Sequence, residues 1–321
     1  MITKSHFRLY SCSVPVRGKD ESIICNLHNA GYTVIPHFLC ELFQDFSELS
    51  IDELQTLYND RDGSLVKYFN YLEEKQLGFY TNEPDCFPAL DLEWHAPEKV
   101  AYAVLQIEDL NRLDYTSIIR QLDEQQCNNI DLWFTQKCDT DALKEILVQF
   151  DDSGIRSFDV YMPYSNDFNL TKLISFGAGI KKTADLVLYG APSKKKMSKE
   201  RIYFTPRKLS EKRNTHRNIP KDKFIIYIEF FTESIKYNPY YNRKVCIDKD
   251  GYLRNCLTHK KEFGNISTRN ITDLLKDEAY TDLWYACNDK ILEIQDSPFR
   301  YMWLNTHELE KTGDDTYRML N

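Results

Sequence analysis

Between residues 99 and 204 the chain alternates apolar runs with segments whose apolar residues recur at helical spacing. Residues 100–107 and 130–134 read as strands. Residues 115–126 between them read as a helix, with Ile118, Ile119 and Leu122 on one face. From about residue 140, Leu143, Ile146, Leu147 and Phe150 form a second helical stripe that Gly154 ends. Residues 158–162, 184–189, 202–204 and 224–228 read as further strands, and 170–176 as a short helix. Strands that alternate with helices pair in parallel, within an α/β layer or barrel. The predicted fold class is therefore α/β.

The first eighty residues follow another order. Residues 7–15 and 21–27 read as strands around a turn at Arg17-Gly18-Lys19-Asp20, and Tyr32-Thr33-Val34-Ile35 as a third strand. Three helices are expected next. The first covers 37–46, with Phe38, Leu42 and Phe46 at helical spacing. The second opens at Ser50, with Glu53 three residues on as a capping box. The third runs from Ser64, with Leu65, Phe69 and Leu72 as its stripe and Gly78 as its stop. Residues 82–98 carry Pro84, Pro88 and Pro97 and little periodicity, which predicts a linker or surface strap that Phe87 and Trp94 pack down.

Composition excludes several classes. With 321 residues, 42% hydrophobic and 13% aromatic, the chain has material for two or three packed domains. A net charge of −8 argues against a general nucleic-acid binder. No stretch approaches the length of a membrane span, and the opening residues lack the apolar run of a secretory signal. Nine thinly spread cysteines do not make a disulfide framework, so a cytoplasmic location is expected. No phosphate loop, His-Glu-x-x-His or Gly-x-Ser-x-Gly motif occurs. Gly177-Ala-Gly179 follows a helix rather than a strand, and Glu108-Asp109 and Asp151-Asp152 suit solvated turns.

One charge run stands out. Lys194, Lys195, Lys196, Lys199 and Arg201 begin a basic stretch that continues to Lys223. It is either a solvated loop or a surface that meets an acidic partner.

The C-terminal third holds the most specific signature. It reads Cys246-Ile-Asp-Lys-Asp-Gly251, Asn255-Cys256 and Phe263-Gly264-Asn265-Ile266. A helix capped by Asn270 follows, and then Ile294-Gln-Asp-Ser297-Pro-Phe-Arg-Tyr-Met-Trp303-Leu-Asn-Thr306. This resembles the SPASM domain of peptide-modifying radical SAM proteins, and more narrowly the SPASM-domain peptide maturases of grasp-with-spasm systems. In that family's pattern four cysteines stand where this chain has Ile294, Ser297, Trp303 and Thr306. Iron–sulfur clusters need thiolates, which Ile and Trp cannot replace. Cys246, Cys256 and Cys287 are the residual thiols, able to hold zinc with a histidine such as His259 or to pack as small apolar groups. The Cys-x-x-x-Cys-x-x-Cys loop of radical SAM proteins is missing too.

The resemblance implies an N-terminal winged-helix leader-recognition domain over 1–81, a linker over 82–98, a partial β/α barrel over 99–235 and a degenerate SPASM-like domain over 236–321. It implies a partner protein that binds the leader of a ribosomal precursor peptide and presents it to an ATP-grasp ligase. ATP and magnesium would belong to the ligase, with no cofactor on this chain. Leader recognition of this kind works by strand addition. Tyr32, Val34 and Ile35 are the expected edge, with Val66, Phe69 and Tyr71 as the facing wall. Each of these side chains is also a candidate for plain core packing. The alternatives left open are a maturase with its own Fe–S- or zinc-dependent step, and a dimeric scaffold.

Overall fold

The computed structural model describes residues 5–138, 140–166, 171, 182, 185–209 and 224–320. Apart from residue 171, the expected helix over 170–176 lies outside them, as do residues 210–223 of the basic stretch.

The chain opens with β1 (His6–Leu9), β2 (Ser13–Arg17), β3 (Ser22–Asn26) and β4 (Gly31–Ile35). The single strand expected over 7–15 is broken by a turn in which the Ser13 amide donates to the Tyr10 carbonyl at 2.8 Å. β2, β3 and β4 form an antiparallel sheet in that order. Helices α1 (His37–Asp45), α2 (Ile51–Leu57) and α3 (Ser64–Glu74) then match their expected positions. At α2 the Glu53 amide donates to Ser50 Oγ at 3.3 Å and the Ser50 amide to Glu53 Oε2 at 2.8 Å, the reciprocal capping expected there.

Gly78 does not stop α3; it starts β5 (Gly78–Thr81), which pairs antiparallel with β1. The left-handed residue after the helix is Gln76, at φ 55°. A Cβ on Gly78 would stand 2.6 Å from the Arg8 carbonyl, so close strand approach explains the glycine.

Alternation across the small sheet separates two cores. Ile24 and Ile35 pack with Leu39, Leu42 and Phe69 beneath the helices. Val14, Val16, Ile23, Cys25 and Tyr32 face the opposite way, onto Phe231, Met302 and Phe299. Residues 82–98 form the expected strap, irregular apart from a 3-10 turn at Pro84–Cys86. Phe87 meets Phe79 edge-on at 4.7 Å, and Trp94 lies under the Arg243 guanidinium at 4.6 Å.

The middle of the chain is the expected alternation: β6 (Tyr102–Ile107), α4 (Tyr115–Glu124), β7 (Asn129–Phe134), α5 (Thr140–Asp152), β8 (Ser157–Pro163) and β9 (Leu186–Tyr189). β10 (Lys195–Met197) and β11 (Ile202–Thr205) follow. Residues 224–228 are not a strand. Phe224 to Tyr227 run irregularly into helix α6 (Ile228–Lys236), which buries Phe230, Phe231 and Ser234. The β-favouring residues there are overridden by tertiary packing of a helical face.

β12 (Lys244–Ile247) and β13 (Leu253–Arg254) join the same sheet, in the order β10-β11-β9-β8-β7-β6-β12-β13. The pairs from β11 to β12 across the centre are parallel, and the outer pairs are antiparallel. The result is a mixed α/β fold around a parallel-rich sheet. Leu105, Leu132 and Val160 on one face pack with Ile118 and Leu122 of α4 and Leu147 of α5. Ile294 and Trp303 from the C-terminal segment share that core. The remaining elements are α7 (Ile271–Leu274), α8 (Glu278–Thr281), short 3-10 turns, β14 (Leu309–Lys311) and β15 (Tyr317–Met319). Asn270 caps α7 as expected, accepting from the Asp273 amide at 2.7 Å. No helix among the described residues is long and apolar enough to cross a membrane.

Candidate functional site

β4 pairs with β3 on one side only, so among the described residues its other edge has no strand partner. Beside that edge a groove of about 420 Å³ opens between β4 and α3. Val34, Ile35, Pro36 and Leu39 line it from the strand side. Ser64, Lys67, Tyr68, Tyr71 and Leu72 line it from the helix. Val34 is 50% exposed and Tyr71 42% exposed, so two large apolar side chains stand at the rim. An exposed apolar edge invites pairing with another chain unless charge or a covering element blocks it.

The six residues expected at this site divide. Val34, Ile35 and Tyr71 line the groove. Phe69 is 0% exposed and stacks on Phe7 at 4.6 Å, inside the domain core. Tyr32 shares the face of Val34 but turns onto Phe224 and Phe299. Val66 lies outside the lining, its carbonyl accepting from the Tyr80 hydroxyl at 3.5 Å. Lys67 and Tyr68 escaped the sequence reading, although the four-residue step from Ser64 to Tyr68, like that from Lys67 to Tyr71, places each pair on one helical face.

A second cavity, of about 400 Å³, lies between β1, β2 and the strap. Arg8 lines it and forks onto Glu48, at 2.8 and 3.2 Å, holding that carboxyl below its ordinary range.

The C-terminal loop has become a packing element. Ile294 is 1% exposed and Trp303 9%, both in the main core. The Ser297 amide donates to the Ile294 carbonyl at 2.8 Å, and Ser297 Oγ accepts from the Phe299 amide at 3.2 Å. Thr306 is half-buried. Asn288 donates to the carbonyls of Arg300 and Trp303, at 2.6 and 2.9 Å, and holds the loop from below. The loop in turn carries the N-terminal sheet. Arg300 Nη1 donates to the Arg17 carbonyl at 2.7 Å, and the Lys19 amide to the Asp296 carbonyl at 2.8 Å. Gly18 sits so close to Pro298 that a Cβ would fall 2.6 Å from its ring.

An iron–sulfur cluster, as the alternative maturase reading requires, does not fit these residues. Apolar side chains fill the loop, and thiolate is the ligand such clusters need. Cys246, Cys256 and Cys287 are all buried. Burial pushes the Cys246 thiol well up, and it shares a hydrogen bond with Cys256. Cys256 Sγ lies 3.3 Å from the Tyr240 hydroxyl, and His259 Nε2 lies 3.3 Å from the Tyr241 hydroxyl. Among the described residues no group of three or more His, Cys, Asp or Glu is placed to hold a metal ion.

The basic stretch is divided by the fold. Lys195 and Lys196 lie in β10, the outermost strand, so they point to opposite faces of the sheet. Their ammonium groups cover the rings of Phe204 and Tyr203, at 5.7 and 5.5 Å. Arg201 Nε pairs with Asp185 at 2.6 Å. Lys194 and Lys199 are exposed beside the strand. Lysines on an edge strand discourage edge-to-edge pairing, which accounts for part of the charge without any partner.

No protein-family model matches the chain, and no curated protein matches it. Two solved structures are similar to it: Streptococcus suis SuiB bound to S-adenosylmethionine, and the same protein bound to precursor peptide SuiA. The first has 10% identity and a TM-score of 0.39, covering 94% of this chain and 93% of that one. The second has 9% identity and the same TM-score of 0.39, covering 93% of each chain. A likeness of that degree does not establish a shared fold, and the site stands on its own geometry.

Proposed function

We propose that this chain is a peptide-binding partner protein in ribosomal peptide maturation. The leader of a precursor peptide adds to the free edge of β4 as a further strand. Main-chain bonds supply affinity, and side-chain pockets between β4 and α3 supply selection. The bound precursor is then presented to a separate ATP-grasp ligase, whose own ATP and magnesium drive formation of ester or amide cross-links. No residue of this chain is assigned a catalytic role in that reading.

The observation that carries the proposal is the groove: an unpaired strand edge, an apolar rim at Val34 and a facing wall at Tyr71. The ligase and the type of cross-link rest on the sequence resemblance alone. Hydrogen exchange on the full chain tests the first step, using synthetic peptides from short reading frames beside its gene. Added protection is expected over 31–35 and 64–72. Protection confined to other segments, or no binding by any such peptide, overturns the reading. Co-purification with a neighbouring ATP-grasp protein tests the second step separately.

A further inference from the structure

The groove has a charge character that the whole chain does not. Against a net charge of −8, its lining among the described residues contains one charged side chain, Lys67, and no carboxylate. Lys67 is exposed, and among the described residues no ion pair involves it. Four residues on, Tyr71 forms the apolar wall. Four residues further, the Lys75 ammonium sits 5.7 Å from the centre of the Tyr71 ring. Lys67, Tyr71 and Lys75 therefore form a cation–aromatic–cation stripe along one side of α3. Glu73, Glu74 and Lys75 do not line the groove.

We infer that the groove selects an extended peptide carrying a carboxylate two positions from a large apolar residue. This inference rests on the proposed strand addition and names the chemistry of the peptide it accepts. The spacing comes from geometry. One helical step of four residues rises roughly 6 Å. Two residues of an added strand, which return to the same face, rise roughly 6.6 Å. A peptide whose apolar side chain faces α3, on Tyr71 and beside Ile35, thus brings the side chain two positions away to Lys67. An Asp or Glu there meets an unpaired ammonium; a Lys or Arg meets a like charge. The motif is acidic–x–apolar.

The test uses the full chain and a set of fluorescent dodecapeptides of one β-forming sequence. One position, two residues from a central Leu, is varied among Asp, Asn and Lys. At low ionic strength the Asp peptide is expected to bind about fivefold more tightly than the Asn peptide, as one exposed ion pair allows, with the Lys peptide weakest. Lys67→Glu should reverse the order, and added salt should shrink the differences. Lys67 is exposed, so the variant is expected to fold, and an unchanged melting temperature checks this. Equal binding of all three peptides, or an order unmoved by Lys67→Glu, overturns the charge selection and leaves strand addition standing. Binding of none of them by a folded chain overturns both.

Discussion

Tyr32 of β4 and Phe299 of the C-terminal loop meet edge to face, with ring centroids 4.9 Å apart. Phe299 also stacks on Phe224 at 5.0 Å, so one aromatic cluster joins the N-terminal sheet to the C-terminal loop. The loop from Ile294 to Thr306 is a fastener between the N-terminal sheet and the C-terminal core.

The fastener predicts a large effect from one ring. Phe299→Ala removes contacts with both Tyr32 and Phe224 and should cost about 2–4 kcal/mol. Urea unfolding measures it. A loss under about 1 kcal/mol would mean that the loop contributes little to holding the sheet.

Asn288 predicts a polar counterpart. Its amide serves two carbonyls, and it is almost fully buried. Asn288→Ala should cost about 2–4 kcal/mol by leaving both acceptors unpaired. Asn288→Asp should be worse at neutral pH, because a carboxylate cannot donate to either. Melting curves of the two variants compare these costs, and equal curves would contradict the assigned role.

Glu233 predicts a pH dependence. Burial raises its carboxyl to about 7, while the Asn242 amide and the Arg243 charge act the other way. The folded chain therefore holds this proton over a range in which the unfolded chain, titrating near 4.5, has lost it. Stability from this group is intact below about 4.5, falls as pH rises to about 7 and is flat above. Glu233→Gln should equal the native chain near pH 4.5 and exceed it at pH 8, by on the order of 2–3 kcal/mol. Denaturant midpoints at the two pH values give the difference, and a variant no more stable at pH 8 contradicts it.

The thiols predict an order of reactivity. Cys86 is exposed on the strap, whereas Cys246 is buried with its thiol pushed up. Iodoacetamide should modify Cys86 first and leave Cys246 untouched until the chain unfolds. Peptide mapping over time checks this, and early labelling of Cys246 would show that the β12–β13 hairpin opens readily.

Much of the fold was legible because short-range rules set it. The Ser50–Glu53 box, the Asn270 cap and the stripes of α4 and α5 depend on spacing alone, and each formed where spacing put it. At residues 224–228 those rules failed. Phe, Ile and Tyr suit a strand in isolation, but Phe230 and Phe231 gain more by entering the core on a helix. The candidate site was half legible. Alternation along β4 placed Tyr32 and Val34 on one face, yet could not say that Phe299 covers the first and leaves the second at a rim.

The sequence by itself determined the α/β alternation, most helix starts and the absence of cysteine from residues 294–306, because each is a matter of residue type and local period. Only the tertiary structure decided that β12 joins the sheet beside β6, that Lys67 lines a groove beside β4, and that Ile294 and Trp303 fill a shared core. Those outcomes depend on which distant surfaces meet, and free energy of burial is released only when both are present.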